Sequence, residues 1–183
     1  GQKVEADLFE KLHAGLGPDG QRLITNDGGK ERVSGFDLTL SAPKSVSIAY
    51  ALADADTRAA IEQVQLNACK AVVAMLNREA AFTRRGRNGV IIEKTSLIVA
   101  AFQHAEARPA AHIDGLVTAD MDLHSHLCLA NAGEKSIGAE HPVDDARGSG
   151  KYGALDARPL FRTLMLSGSV YHLALSSGLQ KLG

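Results

Sequence analysis

The 183-residue chain has no tryptophan, and its aromatic content is only 4%, low for a globular protein. It has two cysteines, Cys69 and Cys128, which excludes a disulfide framework. Each reads as a small buried hydrophobe suited to a reducing cytoplasm. No apolar run approaches the length of a membrane span and no signal peptide opens the chain, so a cytoplasmic location is expected. Surplus positive charge is also missing. Twenty Lys and Arg against 21 Asp and Glu leave a formal net charge of −1, which does not advertise a nucleic-acid binder. Any electropositive surface must therefore be local. What remains is an ordinary 45% hydrophobic content in a length that fits one domain, with no internal repeats.

The most informative stretch is 97–131. His124 and His126 are two apart inside an apolar run, flanked by Leu123, Leu127 and Leu129. Strand side chains alternate faces, so both imidazoles project from one side of a sheet, and Cys128 continues that face. A His-x-His pair by itself is more often structural than metal-binding. The β-branched run Ser96–Phe102, ending at His104, reads as a second strand. Paired antiparallel, the two strands bring three imidazoles together. That arrangement suits a divalent cation with an open position for a substrate oxygen.

The rest of the chain divides readily. Leu8, Phe9, Leu12 and Leu16 have helical spacing, closed by the turn Gly17–Gly20. Residues 33–41 form a strand in which Asp37 needs a partner or solvent. Ser41-Ala-Pro-Lys-Ser-Val-Ser turns that strand into a short helix, with proline and serine suited to its start. Lys44 there faces either a phosphate at the helix N-terminus or solvent. Residues from Thr57 to about Arg78 make the strongest helix, with Ile61, Val64, Leu66, Ala68, Val72, Val73, Met75 and Leu76 on a broad apolar face that covers the sheet. Arg84, Arg85 and Arg87, with Lys94 just beyond, form the densest basic cluster, on a hairpin tipped by Asn88-Gly89. Such a tip is either solvated or tracks a DNA backbone through phosphate contacts. Val90–Glu93 is a short strand. Gly133–Gly153 is a polar, Gly-rich loop, and Ala157 to Leu182 closes the chain as a helix.

Ser34-Gly-Phe-Asp-Leu-Thr-Leu-Ser-Ala-Pro-Lys-Ser-Val-Ser47, then Phe102-Gln-His104, then Leu123-His-Ser-His126 with Asn131, follow one another in an order that resembles conjugative relaxases of the TrwC/TraI (MobF) type. The Tyr171–Gly183 stretch resembles the helix that follows in that family, so the likeness covers nearly the whole chain. The resemblance implies an α+β fold, an antiparallel sheet with helices packed on it and a palm-like three-histidine site of the HUH-endonuclease kind. It implies metal ligation by His104, His124 and His126, and a role for Asp37 in orienting an imidazole or taking the proton of a nucleophilic tyrosine. It also implies DNA contacts by Lys44, Arg84, Arg85, Arg87 and Lys94.

The implied reaction is metal-dependent nicking and strand transfer on single-stranded or hairpin DNA at a plasmid transfer origin in bacteria. The relaxosome and the type IV secretion machinery are the implied partners. The metal would be magnesium or manganese, with zinc or nickel as alternatives. Imidazole ligands favour manganese, nickel or zinc over magnesium.

The family's tyrosine-bearing N-terminal strand and helix have no counterpart here, and Tyr50, Tyr152 and Tyr171 do not match its position. A single relaxase domain lacking its nucleophile is therefore expected, with residues 1–183 a fragment. The 105–122 connection is longer than the family's, and forms its own small hairpin or displaces His104. His112, Asp120 and Asp122 within it are expected at the surface. A non-catalytic DNA-binding remnant and an unrelated three-histidine metalloenzyme are the other readings.

Overall fold

The computed structural model describes residues 3–24, 32–85, 90–135 and 152–183. The elements are α1 (Ala6–His13), β1 (Gly35–Ser41), α2 (Lys44–Leu52), α3 (Ala55–Glu79), β2 (Phe82–Arg85), β3 (Ile91–Glu106), β4 (Ala110–Ala111), β5 (Val117–Thr118), β6 (Met121–Lys135), β7 (Tyr152–Gly153), α4 (Ala157–Arg162) and α5 (Leu164–Leu179). The fold is α+β. Its antiparallel sheet has the order β1-β6-β3-β2, with β7 beside β6, and β4 and β5 form a separate hairpin. Among the described residues no helix is long and apolar enough to cross a membrane. The chain divides into two compact units, one of Gly1–Asp37, Val73–Ala100 and Cys128–Leu164, the other of Leu38–Val72, Ala101–Leu127 and Met165–Gly183.

In the first unit β2 and β3 form a hairpin in the register Phe82↔Lys94 to Arg85↔Ile91. Two strands were expected across Val90–Phe102, but a single one runs from Ile91 to Glu106. Thr95 carries it through: its amide donates to Ala81 O at 3.1 Å and its hydroxyl to Glu134 O. Asn131 stitches the same unit together, its amide donating to Val33 O at 2.8 Å and accepting from Leu155 N at 2.9 Å. Val33 stands just outside β1, exposed, so the strand begins two residues later than the pattern implied. Asp156 caps α4 and is 4% exposed. Its carboxylate accepts from Arg158 at 2.8 Å and from Arg84 at 3.3 Å. The expected closing helix is interrupted at Thr163, whose hydroxyl bonds back to Pro159 O and Leu160 O at 3.1 and 2.9 Å and ends α4.

In the second unit α3 presents Ile61, Val64, Ala68, Cys69 and Val72 as a buried stripe at helical spacing. Its start is capped by Asp54, which accepts from Thr57 N at 2.8 Å. That same aspartate ends the preceding helix, as the sequence implied. Leu123 and Leu127 of β6 and Tyr171 and Leu175 of α5 are buried too, and Gln65 of α3 bonds both Ser125 and Tyr171. Along β6 the alternate residues Leu123, Ser125 and Leu127 are buried on the helix side. At Gly178 of α5 an added Cβ would stand 2.5 Å from Val64 Cγ1 of α3, so only a hydrogen fits there.

Two stability measurements follow. Gly178→Val should destabilise by about 2 kcal/mol through overpacking, read as a lower thermal midpoint. Asp156 is held at a pKa of about 2, below its ordinary 3.8, first by hydrogen bonds from Arg158. Its stabilisation is complete above pH 3.8 and disappears as pH falls through about 2. Asp156→Asn should therefore lose roughly 2 kcal/mol at pH 7, judged from the size of that shift. Denaturant titrations across pH 2–5 should show a shallower acid loss in the variant than in the parent.

Candidate metal centre

Three imidazoles meet within the second unit. His104 comes from the far end of β3, and His124 and His126 from the start of the neighbouring β6. Ring centroids are 5.1 Å apart for His104–His124, 5.4 Å for His104–His126 and 5.2 Å for His124–His126. One nitrogen from each ring lies within 4.8 Å of the others. His124 is 8% exposed, His126 half-buried and His104 exposed, so the cluster is anchored on one side and open on the other.

Each ring of the β6 pair is aimed by its second nitrogen. His124 Nδ1 lies 2.8 Å from Asp122 O and 3.5 Å from the Asp122 carboxylate. A protonated Nδ1 donating to that carbonyl leaves Nε2 as the lone-pair nitrogen, the tautomer a ligating imidazole needs. His126 Nδ1 lies 3.3 Å from Thr39 Oγ1 on β1, a contact that orients the ring. A tetrahedral ion at about 2.1 Å from each nitrogen would space its ligands about 3.4 Å apart, so small ring rotations bring this donor set onto a cation. Three neutral nitrogens with an open face fit a divalent metal that keeps a position for an incoming oxygen.

The other sequence-derived residues are placed as follows. Asp37 is exposed on β1, two residues before Thr39 and on the same face. It raises the pKa of the half-buried Cys128 thiol, after the larger effect of burial. Cys69 is buried and its thiol pKa is raised by that burial; both cysteines are free. Lys44 opens α2 behind Pro43, which takes the N-cap position without a side-chain cap. Its ammonium turns to Asp120 Oδ2 at 2.5 Å and Met121 O at 2.7 Å. That contact also lowers the Asp120 pKa.

Arg84 pairs with Asp156. Lys94 donates to Arg78 O and stands 4.8 Å from the Phe82 ring centre. Arg85 ends β2, while Arg87 and His141 lie outside the described residues.

The 105–122 connection forms the β4–β5 hairpin, closed at Gly115 with φ +82°. His112 on it bonds the hydroxyl of Thr118. His104 keeps its place in the cluster despite the longer connection.

Of the tyrosines, Tyr50 donates to Glu62 Oε1 at 2.6 Å, and that hydrogen bond raises its pKa. Tyr171 is 1% exposed and donates to Gln65 Oε1 at 2.6 Å, with its pKa raised above all by burial. Tyr152 lies on β7.

Thr39 escaped the sequence reading. The signal was there, since it shares the Asp37 face, but a threonine in a strand has no chemistry of its own to flag it.

The sequence matches the TrwC relaxase family model over residues 1–183. It is 32% identical over 138 residues to the multifunctional conjugation protein TraI of Escherichia coli, 70% of this chain but 7% of that protein. TraI of Escherichia coli strain K12 is similar at 31% over 138 residues. The chain thus spans a small part of the curated relatives it matches. Among solved structures it resembles the conjugative relaxase TrwC in complex with oriT DNA in a copper-bound form. The TM-score is 0.75 at 29% identity, covering 100% of this chain and 55% of that one. The metal-free oriT complex of TrwC gives the same TM-score of 0.75 and 29% identity, over 99% of this chain and 57% of that one. With the family matched from end to end and the histidine cluster in place, the chain belongs to the TrwC relaxase family.

Proposed function

We propose that these residues form the metal-binding and DNA-contacting core of a conjugative relaxase, which nicks and transfers one DNA strand at a transfer origin. The observation that carries this reading is the cluster of His104, His124 and His126, open on one side, in a chain of this family. A divalent cation held by the three imidazoles would put positive charge beside a non-bridging oxygen of the scissile phosphate. The protein's own contribution is orientation. Asp122 and Thr39 hold two of the rings so that one nitrogen of each faces the others.

Manganese, nickel or zinc should bind more tightly than magnesium, because imidazole suits them better than it suits a hard oxygen-seeking ion. Asp37 is proposed to assist on the same strand face, orienting an imidazole or receiving a phenolic proton. Arg84, Arg85, Arg87 and Lys94 are proposed to meet DNA phosphates, and Lys44 to do so by exchanging its Asp120 contact. The DNA target is single-stranded or hairpin origin DNA. The relaxosome and the type IV secretion machinery are the proposed partners.

In the reaction a tyrosine oxygen forms a bond to phosphorus, the bond to the 3′ oxygen breaks, and that oxygen leaves as a 3′-hydroxyl. We propose that none of Tyr50, Tyr152 and Tyr171 serves as this nucleophile. Two of them already donate to protein acceptors, and their raised pKa values oppose formation of the attacking phenolate.

Calorimetric titration with Mn²⁺ should show saturable one-site binding that His126→Ala abolishes; absence of binding in the parent chain would sink the metal reading. Incubated with Mn²⁺ and single-stranded origin DNA, the 183-residue chain should bind the oligonucleotide without forming a covalent adduct. An adduct on a denaturing gel would overturn the assignment of the tyrosines. Tight DNA binding with no metal binding would favour the non-catalytic remnant instead.

A further inference from the structure

The Ser41–Ser47 segment, the most distinctive in the sequence, supplies no metal ligand. Its contacts show what it does instead. Ala42 N donates to Leu123 O at 2.8 Å, and Leu123 N donates to Ser47 Oγ at 3.0 Å. Ser47 is 1% exposed, so this serine meets the β6 backbone one residue before His124 from inside the core.

Two residues further along, a second buried contact holds the same strand. Gln65 Nε2 donates to Ser125 Oγ at 3.1 Å, and Gln65 Oε1 accepts from Tyr171 OH at 2.6 Å. Gln65, Ser125 and Tyr171 are 0%, 3% and 1% exposed. Ser125 lies between the two histidines in sequence and on the opposite face of the strand.

An amide at a core position of α3 is costly unless both of its ends are bonded, and here both are. An aliphatic residue would fill the same position without that desolvation. A fully bonded buried network instead restricts the backbone to one position. His124 and His126 flank Ser125, so any shift of β6 at that point moves both rings together relative to His104.

We propose that Ser47, Gln65 and Tyr171 are positioning residues of the metal centre, holding β6 at Leu123 and Ser125 so that its two imidazoles meet His104. This rests on the three-histidine metal reading above.

The experiment is Mn²⁺ calorimetry paired with metal-free thermal unfolding, on the parent chain, Gln65→Leu, Gln65→Leu with Ser125→Ala, and Tyr171→Phe. His126→Ala is the control without binding. Gln65→Leu takes the acceptor from the buried Tyr171 hydroxyl and the donor from Ser125, and should lower both the unfolding midpoint and Mn²⁺ affinity, the latter by about tenfold. The double variant removes the Ser125 hydroxyl but leaves that of Tyr171, and should recover only part of the midpoint. Its affinity should stay low, because the strand is no longer held. Tyr171→Phe should fold and weaken Mn²⁺ binding several-fold, which keeps the test decisive if Gln65→Leu does not fold.

Parent-like affinity in Gln65→Leu or in Tyr171→Phe would overturn the proposal and leave the metal reading standing. So would affinity that returns together with stability in the double variant. No Mn²⁺ binding by the parent chain would overturn both.

Discussion

A strand presents alternate residues to opposite faces, and this period of two is the constraint on which the site depends. Along β6 it sends Leu123, Ser125 and Leu127 into the core and leaves His124 and His126 on the other side. Burial of the leucines fixes the register, because a slip of one residue would turn the leucines out of the core and the imidazoles into it. Pairing with β3 then brings His104 beside them. The hydrophobic effect, acting on one face, thus positions polar chemistry on the other.

Side chains that do no chemistry refine that placement. Asp122 and Thr39 each engage the Nδ1 of one imidazole. Such partners decide which nitrogen carries the proton, and so which nitrogen can ligate. The positive charges follow a related logic. The chain has a formal charge of −1, with no surplus of cations. Lys44, Arg84 and Lys94 each already contact a carboxylate or a carbonyl within the protein. A phosphate at any of these three would have to compete with those contacts.

Much of the architecture was legible because it follows local periodicity. The apolar spacing of α3 and the alternation of β6 both appear in the residues themselves, and the structure places both elements there. The reading failed where a long-range contact overrode a local break. Thr95 bonds to Ala81 and Glu134 and so fuses two expected strands into β3. At Thr163 a short-range competitor wins, as its hydroxyl takes helix carbonyls and splits the last helix. The Ser41–Ser47 segment starts α2 as its proline and serine implied, while the contacts of Ser47 and Lys44 with β6 had no local signal.

By itself the sequence determined the α+β character, the family and the identity of the three histidines, since these depend on residue type, order and spacing. Only the tertiary structure decided that His104 reaches the pair across a longer connection, and that Thr39 and Asp122 address the rings. It alone placed Gln65 and Tyr171 beneath Ser125. These contacts join residues as far as 106 positions apart. Their partners are chosen by the packing of helix on sheet, which no local pattern encodes.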